Sequence, residues 1–390
     1  MNILLAIHHH LDPNAGAPGV TLKLGQEFQK LGHHVDYYSF DDLPSQLPEI
    51  VKSISFPEFF ANRLRTRTRD RSIDVIDAST GDAWVWAKLR RNRVTRPLLV
   101  TRSHGLEHIM HLEILAEARR ENLQLSWKYP LYHGGLRLWE VAQSLRAGDL
   151  ALLLNQADAD YAIHQLGVDP DRVEIVANGI PAEFLNLPLV ATPRRDEPIR
   201  IAQVGSYIDR KGIRYGVPAI DRLLQDHPQV MMSFLGTGCS QARVHADFDP
   251  SVRDRVMVTP HYNHERLPSL LQGHQIKLFP TLSEGFSLAL PEAMACGLAP
   301  VTTATPGAME IVDASNGVIV APRDTEAILL ALERLIGDRT DLDRLRRSAY
   351  ETAQNYSWKQ IAMHTLGLYE RAIAHNHASI NSLRLADKSC

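Results

Sequence analysis

Short apolar runs alternate along this chain with stretches in which apolar residues return every three or four positions. The first series of runs is NILLAI (2–7), HVDYYSF (34–40), IDVIDA (73–78), PLLVT (97–101), DLALLL (149–154) and VEIVA (173–177). The second is IRIAQV (199–204), QVMMSFL (229–235), RVMV (255–258), QIKLFP (275–280), APVTT (299–303) and GVIV (317–320). Runs this short and continuously apolar predict strands buried on both faces. The amphipathic stretches between them predict covering helices. In VTLKLGQEFQKLG (20–32), Leu22, Leu24, Phe28 and Leu31 fall roughly on one face and Gly32 ends the helix. Such alternation implies parallel sheets with helices on both sides.

The two series are separated by NGIPAEFLNLPLVATPRRDEP (178–198), which is rich in proline and charge and weak in periodicity. It reads as a linker. The predicted architecture is two Rossmann-like, doubly wound α/β domains in tandem, one over 1–182 and one over 196–358. Ligands of open α/β sheets sit outside the carboxyl ends of the strands. Two such domains facing each other would put the active site in the cleft between them. SWKQIAMHTLGLYERAIAHN reads as a closing helix, and the tail 377–390 as poorly anchored.

The totals narrow the classes. A chain of 390 residues suits two domains. A net charge of -3 gives no nucleic-acid footprint. Cys239, Cys296 and Cys390 are odd in number and lack C-x-x-C spacing, which argues against a disulfide framework or a structural zinc site and for a reducing compartment. No apolar run approaches the ~18 residues of a membrane span. The start MNILLAI lacks the basic region and apolar length of a signal peptide. The expected location is cytoplasmic, with peripheral contact at the inner face of a membrane left open.

The residues that could carry chemistry lie where strands end. TLSEGFSLALPEAMACG (281–297) follows a strand and runs into a helix. The unpaired N–H groups at a helix start suit phosphate. Gly285 lets the backbone approach closely, and Pro291 fits the first turn, which needs no N–H from it. Glu292 could accept hydrogen bonds from a ribose diol, and Glu284 from the hydroxyls of another group such as a sugar. Alternatively, both carboxylates merely favour a helix start. In VGSYIDRKGIRYG (204–216), Gly205 ends a strand and Arg210 and Lys211 follow; two cations there suit a diphosphate, or form a solvated basic turn.

NAGAPGV (14–20) carries Gly16 and Gly19 after the first strand. It lacks a full G-x-G-x-x-G, so it is either a phosphate-cradling turn or an ordinary loop whose glycines allow positive φ. In TRSHGLEH (101–108), His104 stands at a strand end, placed to donate to a sugar hydroxyl or to serve a structural role. The histidines 8–10 and His104, His108 and His111 invite a metal, but no acidic co-ligand has matching spacing. RLRTRTRDR (63–71) has five arginines at alternate positions, a solvated basic face or one drawn to anionic headgroups. The segment 119–146 mixes aromatic and basic residues; it reads as packed helices or as an acceptor surface.

Taken in order, these motifs resemble the retaining glycosyltransferases of family 4, which have the GT-B fold. The resemblance spans roughly residues 1–370. It is carried by Gly16 and Gly19, GHHV (32–35), SHGLE, VEIVANGI, VGSYIDRKG, FLGTG (234–238), YSW (356–358) and above all by the E-x7-E region SEGFSLALPEAMACGLAPVTT. It implies transfer of a hexosyl group from a nucleotide sugar, UDP-linked in preference to GDP-linked, to a glycan, a lipid-linked acceptor or another hydroxyl, as in polysaccharide assembly.

On that resemblance Glu292 binds the ribose, Glu284 the donor sugar, and Arg210 and Lys211 the diphosphate, aided by the backbone of Phe286 and Ser287. Gly205 precedes the basic turn. His104 sits beside the reacting sugar, and Gly16 and Gly19 let the first loop close over the phosphates. No metal is expected, because basic side chains and a helix dipole replace the cation. The helix over about 359–376 is expected to pack back on the first domain.

Two positions depart from the family pattern. Ser206 stands where an arginine often follows the glycine, so diphosphate binding leans on Arg210 and Lys211. Ser287 replaces the last glycine of E-G-F-G, and is expected to cap the helix and donate to phosphate. Two other readings stay open. One is another GT-B enzyme, an epimerase or a phosphorylase, although no pyridoxal lysine is identifiable. The other is a non-catalytic nucleotide-sugar-binding protein.

Overall fold

The computed structural model describes residues 1–13, 15–67, 72–90, 97–120, 123–194 and 196–387, with no side-chain description for 67 or beyond 376. The chain divides into two compact units, Met1–Asn178 with Trp358–Cys390, and Gly179–Ser357.

The first unit is built on a parallel sheet of β1 (Asn2–Ala6), β2 (His34–Tyr38), β3 (Val75–Ser79), β4 (Leu98–Arg102), β5 (Leu150–Leu153) and β6 (Val173–Ile175). Its spatial order is β2-β1-β3-β4-β5-β6. Its helices are α1 (Gly16–Lys30), α2 (Glu49–Arg67), α3 (Trp84–Leu89), α4 (Glu107–Arg119), α5 (Arg137–Ala147) and α6 (Gln156–His164). The second unit repeats the design. Its strands are β7 (Ile199–Val204), β8 (Val230–Leu235), β9 (Val256–Thr259), β10 (Ile276–Phe279), β11 (Ala299–Thr303) and β12 (Val318–Val320), in the order β12-β11-β10-β7-β8-β9. Its helices are α7 (Ile213–Asp226), α8 (Gln241–His245), α9 (Leu267–Leu271), α10 (Ala289–Ala295), α11 (Pro306–Met309), α12 (Thr325–Gly337) and α13 (Arg339–Ala353). The last helix, α14 (Trp358–Asp387), belongs to the first unit.

Every expected strand forms within a residue or two of its apolar run, because a strand covered on both faces is apolar at most positions on either side. In the second unit Ile276, Leu278, Ile199 and Ile201 pack with Val217, Ile220 and Leu224 of α7 and Leu332 of α12. Each sheet also reverses its winding once, between β1 and β3 in the first unit and between β7 and β10 in the second. At such a switch point the loops leave in opposite directions and open a crevice at the strand ends. This places chemistry after β1 and β3 in one unit, and after β7 and β10 in the other.

Some local expectations change. The buried face of α1 is Val20, Thr21, Leu24, Gly25 and Phe28, with Leu22 and Leu31 only half-buried. Gly25 brings the helix so close to β2 that a Cβ there would lie 2.2 Å from the Tyr37 hydroxyl. The tail expected as a separate segment from 377 continues as helix to Asp387. The same helix is anchored by Tyr369, which is fully buried and whose hydroxyl donates to Asp77. Asp77 also receives Arg102 Nη2 at 2.7 Å, so the Tyr369 hydroxyl of α14 docks on a buried ion pair between β3 and β4.

Candidate active site

The second unit assembles a charged cluster at its switch point. After β7 the chain passes Gly205, at φ +122°, into a tight turn over Asp209–Lys211. Gly212 ends that turn at φ +75°, and a Cβ there would stand 1.8 Å from the Pro280 carbonyl oxygen. Glycine is therefore required on two counts, handedness and space. The turn is stitched to the segment after β10: the Leu282 N–H and the Thr281 hydroxyl donate to the Arg210 carbonyl at 3.0 and 3.2 Å. The Gly307 N–H in turn donates to the Glu284 carbonyl at 3.1 Å and fixes the loop from the other side.

These backbone ties bring three side chains together. Lys211 Nζ lies 2.7 Å from Glu284 Oε2, and Arg210 Nη1 lies 3.1 Å from the same oxygen. Arg210 also donates to the Ser283 carbonyl at 3.2 Å. Lys211 and Glu284 are largely enclosed, whereas the Arg210 side chain is 49% exposed. The expected cations and the expected sugar-binding carboxylate thus neutralise one another across 73 residues of sequence.

Glu292 has a different setting. It is the fourth residue of α10, 2% exposed, and Oε1 lies 2.8 Å from His264 Nε2. His264 is half-buried and its ring lies 5.5 Å from that of Phe184. Pro291 falls within the first turn of α10, where no N–H is missed. Ser287 does not cap this helix: the N-cap is Leu288, in helical conformation, and no side chain caps it. The Ser287 carbonyl is instead drawn into a tightened first turn by the Leu290 N–H at 3.2 Å. Phe286 buries its ring 6.0 Å from Tyr356, leaving only its backbone for a ligand. Gly285 approaches Gly307 so closely that a Cβ on Gly307 would lie 2.4 Å from the Gly285 oxygen.

In the first unit, His104 follows β4, with its Nε2 enclosed and unpartnered among the described residues. Burial, then the nearby Arg102, push its pKa down to about 3, so the ring is a neutral imidazole. It borders a cavity of about 10 Å³, with Thr21, Asp77 and Arg102, room for about one water. Gly16 opens α1 with free space around it. Gly19 lets the helix pass Pro13, whose oxygen would lie 2.8 Å from a Cβ. Neither has positive φ, so close approach and not handedness explains Gly19.

The described histidines do not gather around a metal. His8 pairs with Asp82 at 2.8 Å, His10 with Asp41 at 2.5 Å, and His111 stacks on Tyr129. Among the described residues no three such side chains form a metal cluster. The basic run 63–71 lies on α2 as far as Arg67, with Arg63 and Arg65 exposed; the remainder lies outside the described residues. Of the segment 119–146, Arg137–Ala147 packs as α5. Trp127 and Leu131 stand 77% and 66% exposed, and residues 121–122 fall outside the description.

Three groups escape a reading by motif. His264 was hidden in HYNHERL. Lys277 is marked in the sequence as the single charge inside the apolar run QIKLFP. The third is a buried network at the first unit's switch point. Arg137 reaches Asp82 at 3.4 Å, Glu107 at 3.3 Å and Glu140 at 3.7 Å, and donates to the Thr80 carbonyl. Burial pushes Asp82 and Glu140 up to about 7 against the pull of Arg137. Gly81, at φ +83°, leaves the guanidinium room: a Cβ there would lie 2.4 Å from Nη1.

Comparison with known proteins decides the family. Residues 15–184 match the model described as Glycosyltransferase Family 4, and residues 190–353 that described as Glycosyl transferases group 1. The chain belongs to glycosyltransferase family 4. This family 4 chain is 25% identical over 309 residues to a phosphatidylinositol N-acetylglucosaminyltransferase subunit of Arabidopsis thaliana, covering 77% of this chain and 67% of that one. It is 27% identical over 293 residues to an MMP alpha-(1->4)-mannosyltransferase of Mycolicibacterium hassiacum, covering 71% and 66%. It therefore spans about two thirds of the length of these relatives. Its fold matches a sucrose-phosphate synthase of Thermosynechococcus elongatus with TM-score 0.74 at 20% identity, over 96% of this chain and 99% of that one. It also matches Anabaena HepE in complex with UDP, with TM-score 0.69 at 17% identity, over 95% and 100%. The family 4 chain thus has the GT-B fold, two Rossmann-like parallel-sheet domains. No helix of its described residues is long and apolar enough to cross a membrane.

Proposed function

We propose that this chain moves a hexosyl group from a nucleotide sugar, UDP-linked in preference to GDP-linked, to a hydroxyl of a glycan or lipid-linked acceptor, with retention at the anomeric carbon. The observation that carries the reading is the Arg210–Glu284–Lys211 cluster at the β7/β10 switch point. Without a donor, Glu284 holds both cations. A diphosphate competes for them, and Glu284, released in part, accepts from sugar hydroxyls. The N–H groups of Phe286 and Ser287 add donors. Glu292, held by His264, accepts from the ribose diol. The exchange of Glu284 for phosphate keeps the site near neutral in both states, which favours binding without a large desolvation penalty.

In the transfer, the bond from the anomeric carbon to the diphosphate oxygen breaks and its electron pair stays on the diphosphate. The acceptor oxygen bonds on the same face, and its proton passes to the leaving phosphate. Fixed cations stabilise the charge that develops there, so no metal is required. The loop of Gly205 leaves backbone free to approach phosphate. The exposed Trp127, Leu131 and Lys128 are the surface we assign to a lipid-linked or glycan acceptor.

The test is incubation with a panel of nucleotide sugars, first alone and then with acceptor extracts, reading released nucleoside diphosphate. Release that depends on acceptor supports transfer. Tight donor binding with no release under any condition would leave a binding protein. Added chelator is expected to leave turnover intact, and its complete loss would overturn the metal-free mechanism.

A further inference from the structure

We propose that Lys277 is a further donor-site residue, an internal counter-charge that answers the diphosphate from within the second unit. The inference rests on the donor site proposed above. Lys277 lies in β10 at the switch point, in register with Ala202 of β7 and Pro300 of β11. Alternation puts it and Phe279 on the face opposite Ile276 and Leu278, which join the core with α7 and α12. It is wholly buried, and its Nζ has no hydrogen-bond partner among the described residues.

The amine and one cation of the charged cluster border the same ring. Lys277 Nζ and Lys211 Nζ each stand 5.7 Å from the centroid of the Phe279 ring. The charges that act on it are Lys211, from the turn after β7, and Glu292, from α10. Its in-register neighbours on both adjacent strands are uncharged. Arg346 of α13 is engaged by the Gly297 and Val190 carbonyls and the Thr192 hydroxyl. His264 lies beyond Glu292.

An unpaired ammonium is among the costliest groups to bury, and the remaining positions of β10 are apolar. A purely structural position would take Met or Leu. Burial, then Lys211, push the amine well below its ordinary range. A diphosphate beside Lys211 removes that repulsion and adds negative charge, and both effects favour the ammonium. Nucleotide binding is then linked to uptake of a proton, and tightens as pH falls.

Titration calorimetry with UDP, in two buffers of different ionisation enthalpy, measures the uptake directly. The expected result is uptake by the wild type, and its loss in Lys277→Met and Lys277→Gln with UDP binding about tenfold weaker. A tenfold loss is what ~1.4 kcal/mol produces. Thermal unfolding without nucleotide should show Lys277→Met at least as stable as wild type, since the buried amine is gone. Wild-type binding without proton uptake, or a variant that binds UDP as tightly as wild type, would overturn the inference while leaving the donor site standing. A wild type that binds none of UDP, GDP and ADP would remove the donor site itself and this inference with it.

Discussion

Replacing Lys211 with Met separates the electrostatic account of the donor site from a merely structural one. Its side chain is 17% exposed, with the ammonium 2.7 Å from Glu284. A phosphate oxygen that takes the place of Glu284, with charges about 4 Å apart in a medium of effective dielectric ~20, is attracted by about 4 kcal/mol. Part of that is returned, because Glu284 must give up the same ammonium. A net loss of roughly 1.5–3 kcal/mol remains, the usual worth of a hydrogen bond to a charged group. Nucleoside diphosphate affinity should then fall roughly ten- to hundredfold. The kcat should fall too, since charge on the leaving diphosphate grows toward the transition state. The fold should barely notice. Glu284 keeps Arg210, and a partly exposed pair contributes about 1 kcal/mol or less. Calorimetry with UDP, steady-state kinetics and thermal unfolding read the three quantities. Unchanged UDP affinity and kcat/KM in a folded variant would refute the assignment.

Other outcomes follow from the same geometry. Glu284→Gln should bind UDP more tightly than wild type, because the internal competitor for Arg210 and Lys211 is gone, yet turn over more slowly; weaker UDP binding would contradict the exchange. Glu292→Gln should erase discrimination between UDP and 2′-deoxy-UDP, and equal discrimination in both proteins would rule out the ribose contact. His104 has its pKa depressed to about 3, so its contribution to stability is complete above the unfolded value of 6.5 and is lost as pH falls from there toward 3. His104→Asn should flatten the fall of the thermal midpoint over that window, and an unchanged slope would show that the ring is not held neutral.

The strands were legible from hydrophobicity alone, since a parallel sheet covered on both faces leaves few polar positions to blur the pattern. Its strand ends also marked where chemistry would lie, because loops after parallel strands share one edge. That is why Glu284, Arg210, Lys211 and His104 stand out in the sequence as candidates. Folding decided what these groups do to one another. Glu284 meets Lys211, Glu292 meets His264, and Arg137 meets Asp82 only because the strand order β12-β11-β10-β7-β8-β9, and its counterpart in the first unit, each fold distant loops together within one unit. Ser287 looked like a cap and is none, since a local propensity yields to the tightened turn before α10. Periodicity records which side of an element is buried; pairing between charges depends on distances set by strand order, which no local pattern encodes.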